Sequence, residues 1–259
     1  VNYIIVSISN SDYQYWQIIV LYNSIKAVNQ QGKLVVMCSQ ESNTTISLPN
    51  DIIKIDFPDF SNECYGYKVG NRYKQEQILA RDNRFKDSDI LLFLDPDMLL
   101  LNSIDLVPEE NTIIGQSFIN EFIHQEGFNI EVKKAIRYPF VTNFKTFKSY
   151  IDDMVIFSNI IYNNTKNWQS DMYGLVYSVT KQNINIIELP NFGICNDWDI
   201  ETKDIKNIIH YCQPIYYNND ILFFKHSYFN TEDLDKEVEG LSNINKILKE
   251  KLKEYKPCL

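Results

Sequence analysis

The chain has 259 residues, 44% of them hydrophobic and 23% charged, with eight glycines, eight prolines and a formal net charge of −9. Those figures describe one large α/β domain, or a domain with a modest appendage, and exclude extended disorder. The acidic balance excludes a basic nucleic-acid-binding surface, although nucleotides remain admissible because a cation can neutralise their phosphates locally.

The first hundred residues alternate cleanly. Tyr3–Ser9 reads as a strand buried on both faces, 13–29 as a helix, and 33–38 and 51–56 as further strands separated by the polar stretch 40–50. Residues 67–82 read as a helix with Ile78 and Leu79 facing the core, leading to the strand Ile90–Leu94. Strands alternating with helices predict a mostly parallel sheet flanked by helices. The second half is less regular: a strand at 112–116, a short helix at 129–137, a strand at 154–157, and a helix at 168–181 with Met172, Leu175, Val176 and Val179 on its apolar side. Strands follow at Asn185–Leu189 and 207–211, then an aromatic segment at 221–229 and a charged amphipathic helix over 231–255 that starts at Thr231-Glu232-Asp233. No repeat or composition shift marks a linker. The expectation is a single domain over 1–230 and a helical tail over 231–259.

Five cysteines (Cys38, Cys64, Cys195, Cys212, Cys258) lack CxxC spacing. They read as free thiols in a reducing compartment. With no visible signal peptide and no apolar run near the roughly 20 residues of a membrane span, a cytoplasmic location is expected.

The stretch Ile90–Leu94 ends abruptly at Asp95-Pro96-Asp97, after which a second apolar run begins. In an open α/β sheet such a strand end faces the ligand crevice, and buried unpaired carboxylates cost several kcal/mol. A divalent cation held by both carboxylates resolves that cost, and oxygen ligands suit Mg²⁺ or Mn²⁺ completed by substrate phosphates. Pro96 interrupts regular pairing and lets the loop turn both side chains to one ion. The competing reading is a solvated Asp-Pro-Asp turn, which the flanking hydrophobicity disfavours. A phosphoaspartyl enzyme would place a small residue where this chain has Leu99. His210, inside Ile208-Ile209-His210-Tyr211, is as well read as a core histidine as a third ligand; His124 and His226 have weaker contexts. From spacing alone Asn71-Arg72 is a solvated turn, Ser170 or Asp171 a helix cap, Trp198-Asp199 ambiguous, and Trp16-Gln17 core packing.

Taken in order, several of these fragments resemble one family. Tyr15-Trp16-Gln17 with Tyr22, Asn71-Arg72, Asp95-Pro96-Asp97, the Trp-x-x-acidic-Met-Tyr pattern from Trp168 to Tyr173, Trp198-Asp199, Ile208-Ile209-His210-Tyr211 and Phe224-Lys225-His226-Ser227-Tyr228 follow one another. This series is similar to the hydroxyproline O-arabinosyltransferases and peptidyl serine α-galactosyltransferases, which are glycosyltransferases of GT-A fold. The resemblance covers about residues 3–230. It implies a Rossmann-like GT-A domain, a UDP-sugar donor, and transfer to an acceptor hydroxyl of a peptide, glycan or other molecule with retention of configuration. It further implies Mn²⁺ or Mg²⁺ on Asp95, Asp97 and His210, donor contacts from Asn71, Arg72, Asp95 and Lys225, and Asp171 as the carboxylate beside the reacting sugar. The chain departs from the family at Met98, where plant members often have His, and at Cys212-Gln213-Pro214, which replaces a small turn. These departures bear on acceptor and sugar more than on fold. A sugar-phosphate nucleotidyltransferase would need a Gly-rich basic loop where this chain has Ser7-Ile8-Ser9-Asn10-Ser11-Asp12. A non-catalytic nucleotide-sugar or glycan-binding module of the same fold stays open as the alternative.

Overall fold

A computed structural model describes residues 1–9, 11–39, 44–117, 130–132, 134–197, 204, 207–217, 220–228 and 231–257. Its centre is a seven-stranded sheet in the order β3-β2-β1-β4-β7-β6-β8. The strands are β1 (Tyr3–Ser9), β2 (Lys33–Ser39), β3 (Ile53–Phe57), β4 (Ile90–Leu94), β6 (Thr112–Ser117), β7 (Ile136–Asn143) and β8 (Asn185–Leu189). The pairs β1–β2, β2–β3, β1–β4 and β6–β8 are parallel, and β7 runs antiparallel between β4 and β6. Parallel strands covered on both faces need continuous apolar runs. The sequence Ile4-Ile5-Val6 in β1 and Leu91-Leu92-Phe93-Leu94 in β4 meets that need, each residue being essentially buried.

A second, three-stranded sheet joins β5 (Met98–Leu100), β10 (Ile208–His210) and β9 (Gly193–Cys195). β5 and β10 are antiparallel, with Met98 opposite His210, while β9 and β10 are parallel, with Cys195 opposite His210. Gly193 is required here, because a Cβ at that position would lie 2.3 Å from Pro139 Cδ on β7. A hairpin of β11 (Ile215–Tyr217) and β12 (Asp220–Phe223) follows.

Helix α1 (Asp12–Ala27) lies between two cores. Tyr15, Ile18, Leu21 and Ile25 pack with the large sheet, whereas Trp16 and Val20 pack with Leu99, Ile209 and the C-terminal helix. A helix apolar on opposite sides is buried on both. Ser24 on α1 also accepts the Leu100 amide at 3.0 Å, tying β5 to the helix. The C-terminal helix α5 (Asn243–Tyr255) presents Ile244, Leu248, Leu252 and Tyr255 to this second core.

The structure corrects several sequence expectations. The segment 154–157 is not a strand but part of α3 (Phe144–Thr165), whose N-terminus is capped by the Asn143 side chain accepting from Thr146 N at 2.8 Å. Phe147, Tyr150, Ile151, Met154 and Ile161 are buried at helical spacing while Ile156 is 53% exposed, so period overrides the local β-like run. The described part of 129–137 holds no helix; Ile136 and Arg137 open β7. Residues 67–82 narrow to α2 (Gly70–Leu79), where Leu79 is buried but Ile78 is 42% exposed, because consecutive helical positions point about 100° apart. The helix expected from Thr231 is a short 3-10 turn at Glu232–Asp235, a break at Gly240 (φ 85°), and then α5, started by Ser242 accepting from Asn245 N at 3.3 Å. The helix expected at 168–181 is α4 (Ser170–Lys181), with Trp168 outside it and 66% exposed. Among the described residues no helix is long and apolar enough to cross a membrane.

Candidate active site

The two aspartates stand where β4 ends and β5 begins, at the C-terminal edge of the parallel strands. Asp95 and Asp97 are only 6% and 5% exposed. The break in pairing at Pro96 turns both carboxylates to the same side. His210 Nε2 lies 3.1 Å from Asp97 Oδ1 and 3.8 Å from Asp95 Oδ2. The register of the small sheet explains the meeting: β10 sets His210 opposite Met98, and the Tyr211 amide donates to the Asp97 carbonyl at 2.9 Å.

Each carboxylate also meets a cation. Arg72, from the first turn of α2, donates to Asp95, and its other terminal nitrogen lies 3.6 Å from Asp171 Oδ2. Lys225, in the 3-10 turn after β12, donates to Asp97. Burial opposes ionisation of Asp97, yet His210 and Lys225 outweigh it and hold the carboxyl well below the usual range. Burial likewise opposes the charged imidazole, but the Asp97 carboxylate raises His210 to about 10.

Asp171, in the first turn of α4, is 2% exposed. It does not cap the helix: the residue at that position is Gln169, which makes no side-chain cap hydrogen bond. Instead the single proton of the Tyr67 hydroxyl is shared between the Asp171 carboxylate, 3.0 Å away, and the Trp168 carbonyl, 2.5 Å away. Burial pushes Asp171 above the ordinary carboxylate value, with Arg72 and Tyr67 pulling the other way. Arg72 therefore links two carboxylate groups, one at the strand end and one on α4.

Below Arg72 is a residue that sequence reasoning missed. Glu76, one helical turn on, accepts from the Tyr138 hydroxyl at 2.8 Å, and Arg72 stacks 4.4 Å above the Tyr138 ring. Burial pushes Glu76 up to about 8 against the pull of Arg72 and Tyr138. An acid kept neutral leaves the guanidinium charge to Asp95 and Asp171. The i, i+4 spacing of Arg72 and Glu76 was a visible signal; Tyr138 and Tyr67 carried none.

Beside this cluster a cleft of about 490 Å³ is lined by Ser7, Ser9, Tyr13, Lys68, Asn71 and Arg72, among others. Its floor is the C-terminal end of β1, the expected place for a ligand in such a sheet, and its size is that of a small-molecule site. Asn71 braces one wall, accepting from Phe60 N at 2.6 Å and donating to Asp59 at 2.7 Å. Tyr13 packs against His226 with ring centroids 4.8 Å apart and the ring planes tilted by 43°. His124 and Trp198-Asp199 lie outside the described residues.

Asp95, Asp97 and His210 offer ligand atoms that all lie within 4.8 Å of one another. Two buried carboxylates and an imidazole are a donor set for a hard or borderline divalent cation. A nearly closed charge balance with Arg72 and Lys225 fits a site that takes a cation together with a diphosphate.

The topology and the placement of this cluster define a GT-A fold. Among solved structures the chain is similar to an active-site mutant of LgtC, with a TM-score of 0.57, 15% identity, and coverage of 99% of this chain and 97% of that one. It is similar also to the galactosyltransferase LgtC in complex with donor and acceptor sugar analogues (TM-score 0.54, 16% identity, 95% and 99% covered). The bifunctional glycosyltransferase WbbM matches over 82% of this chain and 46% of its own (TM-score 0.53, 13% identity). At such identities the likeness establishes the fold. No family model and no curated protein matches the sequence.

Proposed function

We propose that the protein is a glycosyltransferase that moves a hexose or pentose from a UDP-type nucleotide sugar to an acceptor hydroxyl, with retention of configuration. The observation that carries this reading is the meeting of Asp95, Asp97 and His210 at the strand ends, beside the cleft floored by β1 and one guanidinium away from Asp171. Fold likeness to LgtC and WbbM supports the same class. The resemblance to the hydroxyproline O-arabinosyltransferases and peptidyl serine α-galactosyltransferases supports retention and a peptide or glycan acceptor.

Asp95, Asp97 and His210 would hold Mn²⁺ or Mg²⁺, which supplies Lewis-acid stabilisation of the departing diphosphate. Lys225 and Arg72 bring fixed positive charge to the same place, where the leaving group gathers negative charge as the glycosidic bond breaks. Both cations are largely buried, so that charge acts through little solvent. Asn71 holds the wall of the nucleotide cleft through Asp59 and Phe60. Asp171 is assigned to the reacting sugar: its carboxylate is fixed by Tyr67 and Arg72 and could orient sugar hydroxyls or stabilise an oxocarbenium-like transition state. In a retaining reaction the departing phosphate can take the acceptor proton, so no further base is required of the chain.

Release of UDP from a panel of UDP-sugars, with and without Mn²⁺, tests the proposal. Metal-dependent release with one or a few donors is expected. Donor binding without hydrolysis or transfer, whatever the acceptor, would move the chain to the non-catalytic nucleotide-sugar or glycan-binding alternative.

A further inference from the structure

The segment Cys212-Gln213-Pro214, just after β10, takes no part in the reaction above, yet Cys212 joins Cys195 in a second ligand cluster around His210. The Sγ atoms of Cys195 and Cys212 and a ring nitrogen of His210 all lie within 4.8 Å of one another. Strand pairing and the Asn196 side chain fix them. Parallel pairing of β9 with β10 puts Cys195 directly opposite His210, and Cys212 follows His210 by two residues. The residues just after the two cysteines then lock together: Asn196 Nδ2 donates to the Gln213 carbonyl at 3.0 Å, and the Gln213 amide donates to Asn196 Oδ1 at 3.0 Å. The Asn196 amide also donates to the His210 carbonyl at 3.1 Å. Both cysteines are free thiols; Cys195 is buried, whereas Cys212 is only partly buried and gives an ion a way in.

We propose that Cys195, Cys212 and His210 form a second metal site, for thiophilic cations such as Zn²⁺, which shares His210 with the carboxylate pair. Two thiolates and an imidazole are a Zn²⁺ donor set that leaves one tetrahedral position open, and thiolates disfavour Mg²⁺ and Mn²⁺. Ligands held by paired strands and by the Asn196–Gln213 hydrogen bonds need little reorganisation to bind. The nearby Arg137 guanidinium, 3.8 Å from Cys195 Sγ, opposes the cation but favours the thiolate that must bind it. Thiol protons leave to solvent on binding. A neutral imidazole has one lone pair to offer a metal, so an ion held by the cysteines withdraws His210 from Asp95 and Asp97. The thiolate site stands whatever reaction the chain performs; the competition for His210 rests on the proposed function.

Cobalt reports the site directly. Metal-free protein titrated with Co²⁺ is expected to develop a thiolate-to-cobalt charge-transfer absorption that Zn²⁺ bleaches, that is lost in Cys195→Ser and in Cys212→Ser, and that persists in Asp97→Asn. Independently of any variant, Zn²⁺ should protect Cys212 of the wild-type chain from alkylation, read by peptide mass. Absence of the charge-transfer band, its survival in both serine variants, or unaltered alkylation of Cys212 overturns the site. Mn²⁺ binding followed by electron paramagnetic resonance tests the sharing: Zn²⁺ should displace Mn²⁺ from wild type and not from the double serine variant. A cobalt–thiolate band in a protein that binds no Mn²⁺ would instead keep the thiolate site and remove the carboxylate one.

Discussion

Replacing Glu76 with glutamine should change how stability depends on pH. Glu76 is 2% exposed; one carboxyl oxygen accepts from Tyr138, and Oε2 has no hydrogen-bond partner. Its ordinary value of 4.5 is raised to about 8 in the folded protein by burial. The folded state therefore holds the proton more tightly than the unfolded chain. The stability this confers is complete below the unfolded value of 4.5 and is lost progressively as pH rises through about 8. At about 1.4 kcal/mol per unit the loss is on the order of 3–5 kcal/mol. Glutamine cannot ionise, and its carbonyl keeps the bond from Tyr138. Its extra amide hydrogens, buried without a partner, cost about 1–3 kcal/mol, but that cost is the same at every pH. Urea unfolding of both proteins between about pH 5 and about pH 9 separates the two effects. The variant is expected to gain on wild type steadily up to about pH 8 and then run parallel. A difference that does not vary with pH would refute the neutral buried acid, and with it the account of why Arg72 is free to serve Asp95 and Asp171.

Asp97→Asn keeps the shape of the site and removes one ligand charge; metal-dependent UDP binding, measured by calorimetry, should fall by more than the roughly 10–100-fold that loss of a ligand-orienting partner costs. His210→Ala should weaken Mn²⁺ binding far more than His124→Ala, and equal small effects would make His210 a core residue. Because the Asp97 carboxylate, acting against burial, raises His210 to about 10, the imidazole must lose a proton to bind metal, so Mn²⁺ affinity should rise by up to about tenfold per pH unit below that value, with proton release seen in buffers of different ionisation enthalpy. Asp171→Asn should lower kcat by about 100-fold while donor affinity holds; an equal loss in both would place Asp171 in donor binding alone. Gly174→Ala should destabilise the chain by about 1–3 kcal/mol or more in thermal or urea unfolding, since its Cβ would lie 1.9 Å from Ser158 Oγ where α3 and α4 cross.

Strands β1, β2 and β4 of the parallel half were legible because they are largely apolar runs closed by polar residues, as Ile90–Leu94 is by Asp95. The antiparallel strand Ile136–Asn143 was not, because Arg137 and Pro139 break the pattern that would mark it and its partners β4 and β6 are distant in sequence. The strand misread at 154–157 has another origin: four apolar residues cannot tell a strand from one turn of a long buried helix. In the site, the residue types of Asp95, Asp97 and His210 announced themselves, but what brings them together is the β5–β10 register, which no local pattern encodes. Arg72 looked like a solvated turn by spacing and is in fact a buried bridge between Asp95 and Asp171. Glu76 showed only its i, i+4 spacing from Arg72, and Tyr138 showed nothing, because what matters in both is their mutual burial, a tertiary property. Cys195 and Cys212, 17 residues apart without motif spacing, meet only because β9 and β10 pair.

A crystal structure with Mn²⁺ and UDP bound tests the central claim most directly. The account expects anomalous density for the metal in contact with Asp95, Asp97 and His210, the uridine in the cleft beside Ser7 and Asn71, and the diphosphate between Lys225 and Arg72. Metal held by the nucleotide alone, or a nucleotide bound elsewhere with the Asp95–Arg72 and Asp97–Lys225 pairs undisturbed, would contradict it.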